Sequence, residues 1–143
     1  MKPGGYIELQ EYGTEVYSPD PGVDPLTSGS VIAHWASLFN QASTMSGRPP
    51  GSVVTKHIRR ELINAGFVDV LEERLMLPLG AWHPERRMKE LGSYGLLNML
   101  DGVEGFTLWL FSKWLGWSAE QCRVLIEKVK KEFKSGIKLY VIQ

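Results

Sequence analysis

Three stretches of this chain, residues 6–12, 67–77 and 137–142, carry Ile, Leu, Val and aromatic residues in the alternating or massed patterns of strands, and helical patterns stand between each and the next. The order strand, helix, helix, strand, helices, strand predicts a mixed α/β layer rather than a helix bundle. Three strands make a small sheet, which needs cover on both faces and leaves unpaired N–H and C=O groups along any free edge.

Local signals fix where these elements start and stop. In Lys2-Pro3-Gly4-Gly5 the proline holds one backbone angle and two glycines allow positive φ, so a tight turn precedes the first strand with Ile7 and Leu9. Pro19, Pro21 and Pro25, with Asp20, Gly22 and Asp24, deny regular structure from Tyr17 to Gly29, predicting a long loop, either a lid or a plain surface excursion. Val31, Trp35, Leu38, Phe39 and Ala42 fall on one helical face. A second helix runs from about Val53 to Ala65 and stops at Gly66.

The strand over 67–77 is expected to bend at its charged middle, Glu72-Glu73-Arg74, and Pro78 to end its pairing. Short helices follow, near 85–91, 94–100 and 103–115, separated by Gly92 and Gly102. Ser118 and Gln121 have the spacing of a capping box, which starts the last helix near Ala119. Its apolar stripe is Cys122, Ile126, Val129 and Phe133, and Gly136 stops it before the strand Ile137 to Ile142.

Composition narrows the function classes. At 143 residues, with 43% hydrophobic and 22% charged residues, the chain has the makings of one soluble globular domain. Sixteen basic and sixteen acidic residues cancel, so no overall field draws it to nucleic acid or to a membrane surface. The run Phe106 to Trp117 is too short to span a bilayer, and reads as core packing, as a substrate lid or as a partner surface. A lone cysteine, Cys122, and no secretion-type N-terminus predict an intracellular protein, cytoplasmic or nuclear. His34, His57 and His83 lack metal-ligand spacing, so no metal site is expected.

Several motifs carry a family resemblance. Lys2-Pro3-Gly4-Gly5-Tyr6-Ile7-Glu8-Leu9 resembles the turn and fifth strand of class I S-adenosylmethionine-dependent methyltransferases, and Ala65-Gly66-Phe67-Val68-Asp69-Val70 resembles the helix end and sixth strand of the same superfamily. Pro78-Leu79-Gly80-Ala81-Trp82-His83-Pro84, Lys89-Glu90-Leu91-Gly92, Glu104-Gly105-Phe106 and Leu115-Gly116-Trp117-Ser118 are similar to the fungal LaeA-like methyltransferases. The resemblance covers nearly the whole chain.

It implies a partial Rossmann-like α/β fold: a three-stranded mixed sheet of family strands five, seven and six with covering helices. The chain would be a single partial domain over residues 1–143, the C-terminal half of a methyltransferase domain. The cofactor site of such a sheet lies at a Gly-rich turn after the first strand and an acidic residue after the second. The sequence has no G-x-G-x-x-G, and Gly4-Gly5 sits before a strand. The N-terminal cofactor-binding half is therefore read as absent, with S-adenosylmethionine used by the parent family but not bound by this chain alone. Met1 falls inside the family's motif, which suggests a truncated reading frame, an alternative start, or a half-protein that pairs with another chain.

The same resemblance supplies candidate substrate-binding residues, while the catalytic residues stay unassigned. Glu8, Gln10 and Glu11 either line the mouth of the active site or are solvent-facing side chains. Trp82 and His83 either shape the acceptor pocket or form a packed Trp with a capping His. Glu104 is either an acid or base near the acceptor or a helix-start carboxylate favoured by the helix dipole. The expected function is the acceptor side of a methyltransferase, inactive in isolation. The alternative is a non-catalytic module that pairs through its open sheet edge, with another copy or with a complementary chain.

Overall fold

In the computed structural model, residues 2–11, 13, 16–20, 29–49 and 51–142 are described, with the side chains of 51–56 excepted. Among the described residues there are four helices and one small sheet. The strands are β1 (Val16–Tyr17), β2 (Met76–Leu79) and β3 (Leu139–Ile142), and the helices are α1 (Val31–Met45), α2 (Gly51–Asn64), α3 (Arg86–Trp114) and α4 (Ala119–Phe133). The sheet order is β1-β3-β2, with the last strand central and antiparallel to both neighbours, as the resemblance implies. Val16 lies opposite Val141, and Met76 to Leu79 run opposite Ile142 to Leu139.

The helix ends follow their local chemistry. Ser30 caps α1, its hydroxyl oxygen accepting from the Ala33 N–H at 3.2 Å. Ser118 and Gln121 form the expected capping box at α4: the Gln121 N–H donates to the Ser118 hydroxyl at 3.2 Å and the Ser118 N–H to the Gln121 side-chain oxygen at 2.8 Å. Beyond α2, Gly66 takes φ 90°, Phe67 N–H reaches the Leu62 carbonyl and Gly66 N–H the Ile63 carbonyl, both at 3.0 Å. That pair of bonds satisfies carbonyls that the helix end would leave open.

α1, α3 and α4 enclose the core with the sheet. Ile32, Trp35, Val103, Phe111, Cys122, Ile126, Val129, Phe133 and Leu139 are all buried there. The expected stripe on α4 is its buried face, with Leu125 added, whereas on α1 only Trp35 and Ala42 of the expected stripe are buried, Val31, Leu38 and Phe39 are half-buried, and Ile32, Ala33, Ala36 and Ser43 complete the buried face. Glu132 of α4 accepts the Ile32 N–H at 3.0 Å, so a carboxylate meets the open N-terminal turn of α1. The run from Phe106 to Trp117 divides: Thr107 and Phe111 are buried, Leu108, Leu110, Trp114, Leu115 and Trp117 pack against the core in part, and Phe106 and Trp109 stand half exposed.

Several expectations are corrected. The helices expected at 85–91, 94–100 and 103–115 are one helix of 29 residues, about 44 Å long. Glycine weakens a helix by only about 1 kcal/mol relative to alanine, and Gly92 has a tertiary reason to be there. It is buried, a Cβ at this position would collide with the Gly80 carbonyl oxygen, and its own carbonyl accepts the Gly80 N–H at 2.8 Å. Helix and strand end therefore meet backbone to backbone.

The strand expected over 6–12 is not formed in residues 6–11, which are exposed and outside the ladder, while Tyr12 lies outside the described residues. Tyr6 is 98% exposed, and the short β1 takes the place beside β3 instead. A strand needs a neighbour for its N–H and C=O groups, and on this side β3 is met by Val16–Tyr17 and the Gly13 N–H, not by residues 6–11. The strand expected over 67–77 pairs only from Met76 onward. Asp69 adopts φ 53°, which breaks an extended run, and the charged triplet after Leu71 stays in solvent. Pro78 does not end the pairing but sits inside β2 opposite Tyr140, a position open to proline because β2 is an edge strand. Of the loop expected from Tyr17 to Gly29, residues 21–28 lie outside the described residues.

Candidate functional site

The turn from β2 into α3 carries Trp82 and His83. The Trp82 indole N–H donates to the Leu79 carbonyl at 2.9 Å, which ties the ring to the strand it follows. Its ring meets Tyr140 of β3 edge-on, with centroids 4.8 Å apart, and His83 lies 5.7 Å from Trp82 and 6.4 Å from Tyr140. All three are half-buried. The Glu85 N–H points at His83 Nδ1 at 3.2 Å, so the imidazole serves the start of α3. The structure shows a packed Trp, a His that accepts at the start of α3, and three half-buried rings in contact.

Glu104 stands in the middle of α3, since the three expected helices are one, and the helix-start role is therefore corrected. Its carboxylate pairs with Lys130 of α4 at 3.4 Å, with both groups partly exposed. Such a pair contributes little to stability. Glu8, Gln10 and Glu11 lie in the exposed segment ahead of β1, where the Gln10 side-chain amide donates to Glu8. Glu8 and Glu11 line a groove of about 1110 Å³ between that segment and residues 65–74, with Ile58, Arg59 and Leu62 of α2 and Ile142 also in its lining. Among the described residues no hydrogen bond, ion pair or ring contact joins Glu8, Gln10 and Glu11, the Trp82–His83 pair and Glu104 to one another.

The sequence reading missed Tyr140 and Lys130, which are brought in by pairing and packing across long separations. It also missed the contribution of α2 to the groove. A Tyr in the last strand was visible as an aromatic on an alternating run, but nothing local marks it as a neighbour of Trp82.

The two glycine turns nearest to strands test whether a nucleotide-type cofactor fits. The Gly4 turn closes on itself through Gly5 N–H to the Lys2 carbonyl at 3.1 Å and leads into residues that are not helical. The Gly80 turn is filled by Gly92. Neither leaves a row of free N–H groups at a helix start. Among the described residues no three His, Cys, Asp or Glu side chains gather as metal ligands, and no helix is long and apolar enough to cross a membrane.

A central antiparallel last strand, flanked by the two strand ends that precede it and covered by helices, defines a partial methyltransferase fold. Comparison of sequences agrees. The methyltransferase pytC of Aspergillus terreus is 35% identical over 92% of this chain and 39% of its own length. The probable methyltransferase tdiE of Emericella nidulans is 30% identical over 92% of this chain and 40% of its own length. The secondary metabolism regulator laeA of Aspergillus fumigatus is 28% identical over 99% of this chain and 37% of its own length. The chain belongs to the LaeA-like methyltransferases and corresponds to a C-terminal part of them. It spans about two-fifths of the length of the curated relatives it matches. No family model matches the chain, and no solved structure matches it.

Proposed function

We propose that this chain is the acceptor-side portion of an S-adenosylmethionine-dependent methyltransferase and has no transfer activity alone. The observation that carries the reading is the sheet order, β1-β3-β2 with the last strand in the middle, in a chain whose relatives are named methyltransferases. In the whole enzyme the cofactor supplies the methyl group, and this portion helps to position a nucleophilic oxygen, nitrogen or carbon in line with it. Trp82, His83 and Tyr140 form a wall against which an acceptor packs. Glu8, Gln10 and Glu11 stand at the mouth, and Glu104 at the outer surface of the helical cover. The closed Gly4 and Gly80 turns support the absence of a cofactor site in these residues. An intracellular setting, cytoplasmic or nuclear, belongs to the same proposal and is supported by Cys122, which is free and buried.

Titration calorimetry of the purified chain with S-adenosylmethionine, paired with a methyl-transfer assay, tests this. No heat and no turnover are expected. Saturable binding near one per chain, or any turnover above background, would overturn the proposal.

A second reading has its own observation. Residues 6–11 are exposed and outside the ladder, with Ile7 and Leu9 in solvent. An open segment of this kind suits a non-catalytic module that pairs with another copy or with a complementary chain. Sedimentation analysis distinguishes it: dimers support the module, whereas a monomer with sharp, cooperative unfolding counts against it.

A further inference from the structure

The imidazole of His83 is held in one protonation pattern by the backbone that follows it. The Glu85 N–H donates to Nδ1 at 3.2 Å, so this nitrogen offers its lone pair and carries no proton. A neutral imidazole then keeps its one proton on Nε2, at the other side of the ring. Among the described residues no hydrogen bond or ion pair engages Nε2, although the residue is half-buried. A donor without a partner therefore stands beside Trp82 and Tyr140, whose ring centroids lie 5.7 and 6.4 Å from that of His83.

The neighbours restrict what this donor meets. The Trp82 indole N–H is already spent on the Leu79 carbonyl at 2.9 Å, so Trp82 offers only its apolar ring. Tyr140 is fixed edge-on to it at 4.8 Å between centroids. Flat apolar surface thus lies next to one N–H of fixed placement. A planar ring carrying an oxygen with a free lone pair satisfies both at once. The same hydrogen bond decides what His83 does not do: with Nδ1 engaged and Nε2 protonated, it has no free lone pair with which to take a proton.

We propose that His83 is a specificity-determining residue for the methyl acceptor: its Nε2–H donates to a carbonyl oxygen on a planar aromatic acceptor, positioning that molecule without taking its proton. The inference rests on the reading of this chain as the acceptor side of a methyltransferase, and it narrows the acceptor class to carbonyl-bearing aromatic rings. A molecule of the same shape that lacks the oxygen leaves the N–H unpaired against the rings. Sites with such a donor discriminate against the analogue by the whole of the missing bond.

The test uses the full chain, isotopically labelled, and nuclear magnetic resonance. Imidazole nitrogen spectra of the free chain should show His83 protonated on Nε2 alone. Two probes of one size are then titrated, para-hydroxyacetophenone and para-ethylphenol, which differ by a carbonyl oxygen. Both should shift the signals of Trp82, His83 and Tyr140, and the ketone should bind about fivefold more tightly, as one net hydrogen bond provides. His83→Phe keeps a flat ring and should bind the two probes alike. His83→Gln restores an N–H donor and should recover part of the preference, which a packing role alone would not produce. A proton on Nδ1, equal affinities in the native chain, no shifts at these three residues, or a preference that survives in His83→Phe would overturn the proposal. Calorimetry with S-adenosylmethionine decides the acceptor-side reading separately, because probe binding needs neither cofactor nor turnover.

Discussion

The indole N–H of Trp35 donates to the hydroxyl of Thr107 at 2.7 Å, and both side chains are buried. The Thr107 hydroxyl in turn donates to the Val103 carbonyl, so one threonine serves α3's own backbone and the neighbouring helix α1. Thr107→Val keeps the shape but leaves the indole N–H buried and unpaired, a loss of about 1–3 kcal/mol. Thr107→Ser keeps the hydroxyl and should lose less, through the missing methyl alone. Urea unfolding followed by tryptophan fluorescence measures both.

Two glycines of α3 should respond to alanine with opposite signs. Gly92→Ala forces a Cβ onto the Gly80 carbonyl oxygen and destabilises the fold, by about 1–3 kcal/mol beyond any gain in helix propensity. Gly105→Ala meets nothing within 4 Å and gains up to about 1 kcal/mol. Thermal melts of the two variants side by side would expose an error in either assignment.

At the start of α4, Ser118→Ala removes an oxygen that accepts from the Gln121 N–H. The expected cost is about 1 kcal/mol, and Ser118→Gly should cost only a few tenths. No loss in the alanine variant, by chemical denaturation, would mean that the cap bond contributes nothing.

Cys122 is fully buried on α4 and should be inert toward a thiol reagent in the native chain. Its labelling rate should rise to that of a free thiol in denaturant. Fast labelling without denaturant would show that the contact between α3 and α4 opens readily.

These expectations rest on contacts of two kinds, and only one kind is legible in a sequence. The caps at Ser118 and the stop at Gly66 could be read because each involves residues within one turn of chain. The buried stripe of α4 was legible for the same reason, since helical periodicity is local, whereas the stripe expected on α1 misses most of the buried face, with only Trp35 and Ala42 shared. Residues 6–12 have strand character, but a ladder also requires a partner, and none lies opposite 6–11 among the described residues. Gly92 read as a helix break because its reason, the approach of Gly80, belongs to the tertiary structure. At the candidate site the neighbours Trp82 and His83 were found together because they are adjacent in sequence. Their contact with Tyr140 depends on β3 lying beside β2, which no local pattern specifies.

Pro78 has one further consequence. β2 forms an outer border of the sheet, and a border of regular N–H and C=O groups is a template on which a second molecule can stack and start a fibril. Pro78 lacks a donor, and it is buried with Leu79 against Gly92 and Gly95 of α3, so that stretch of the border is covered rather than open and growth by strand stacking is blunted there.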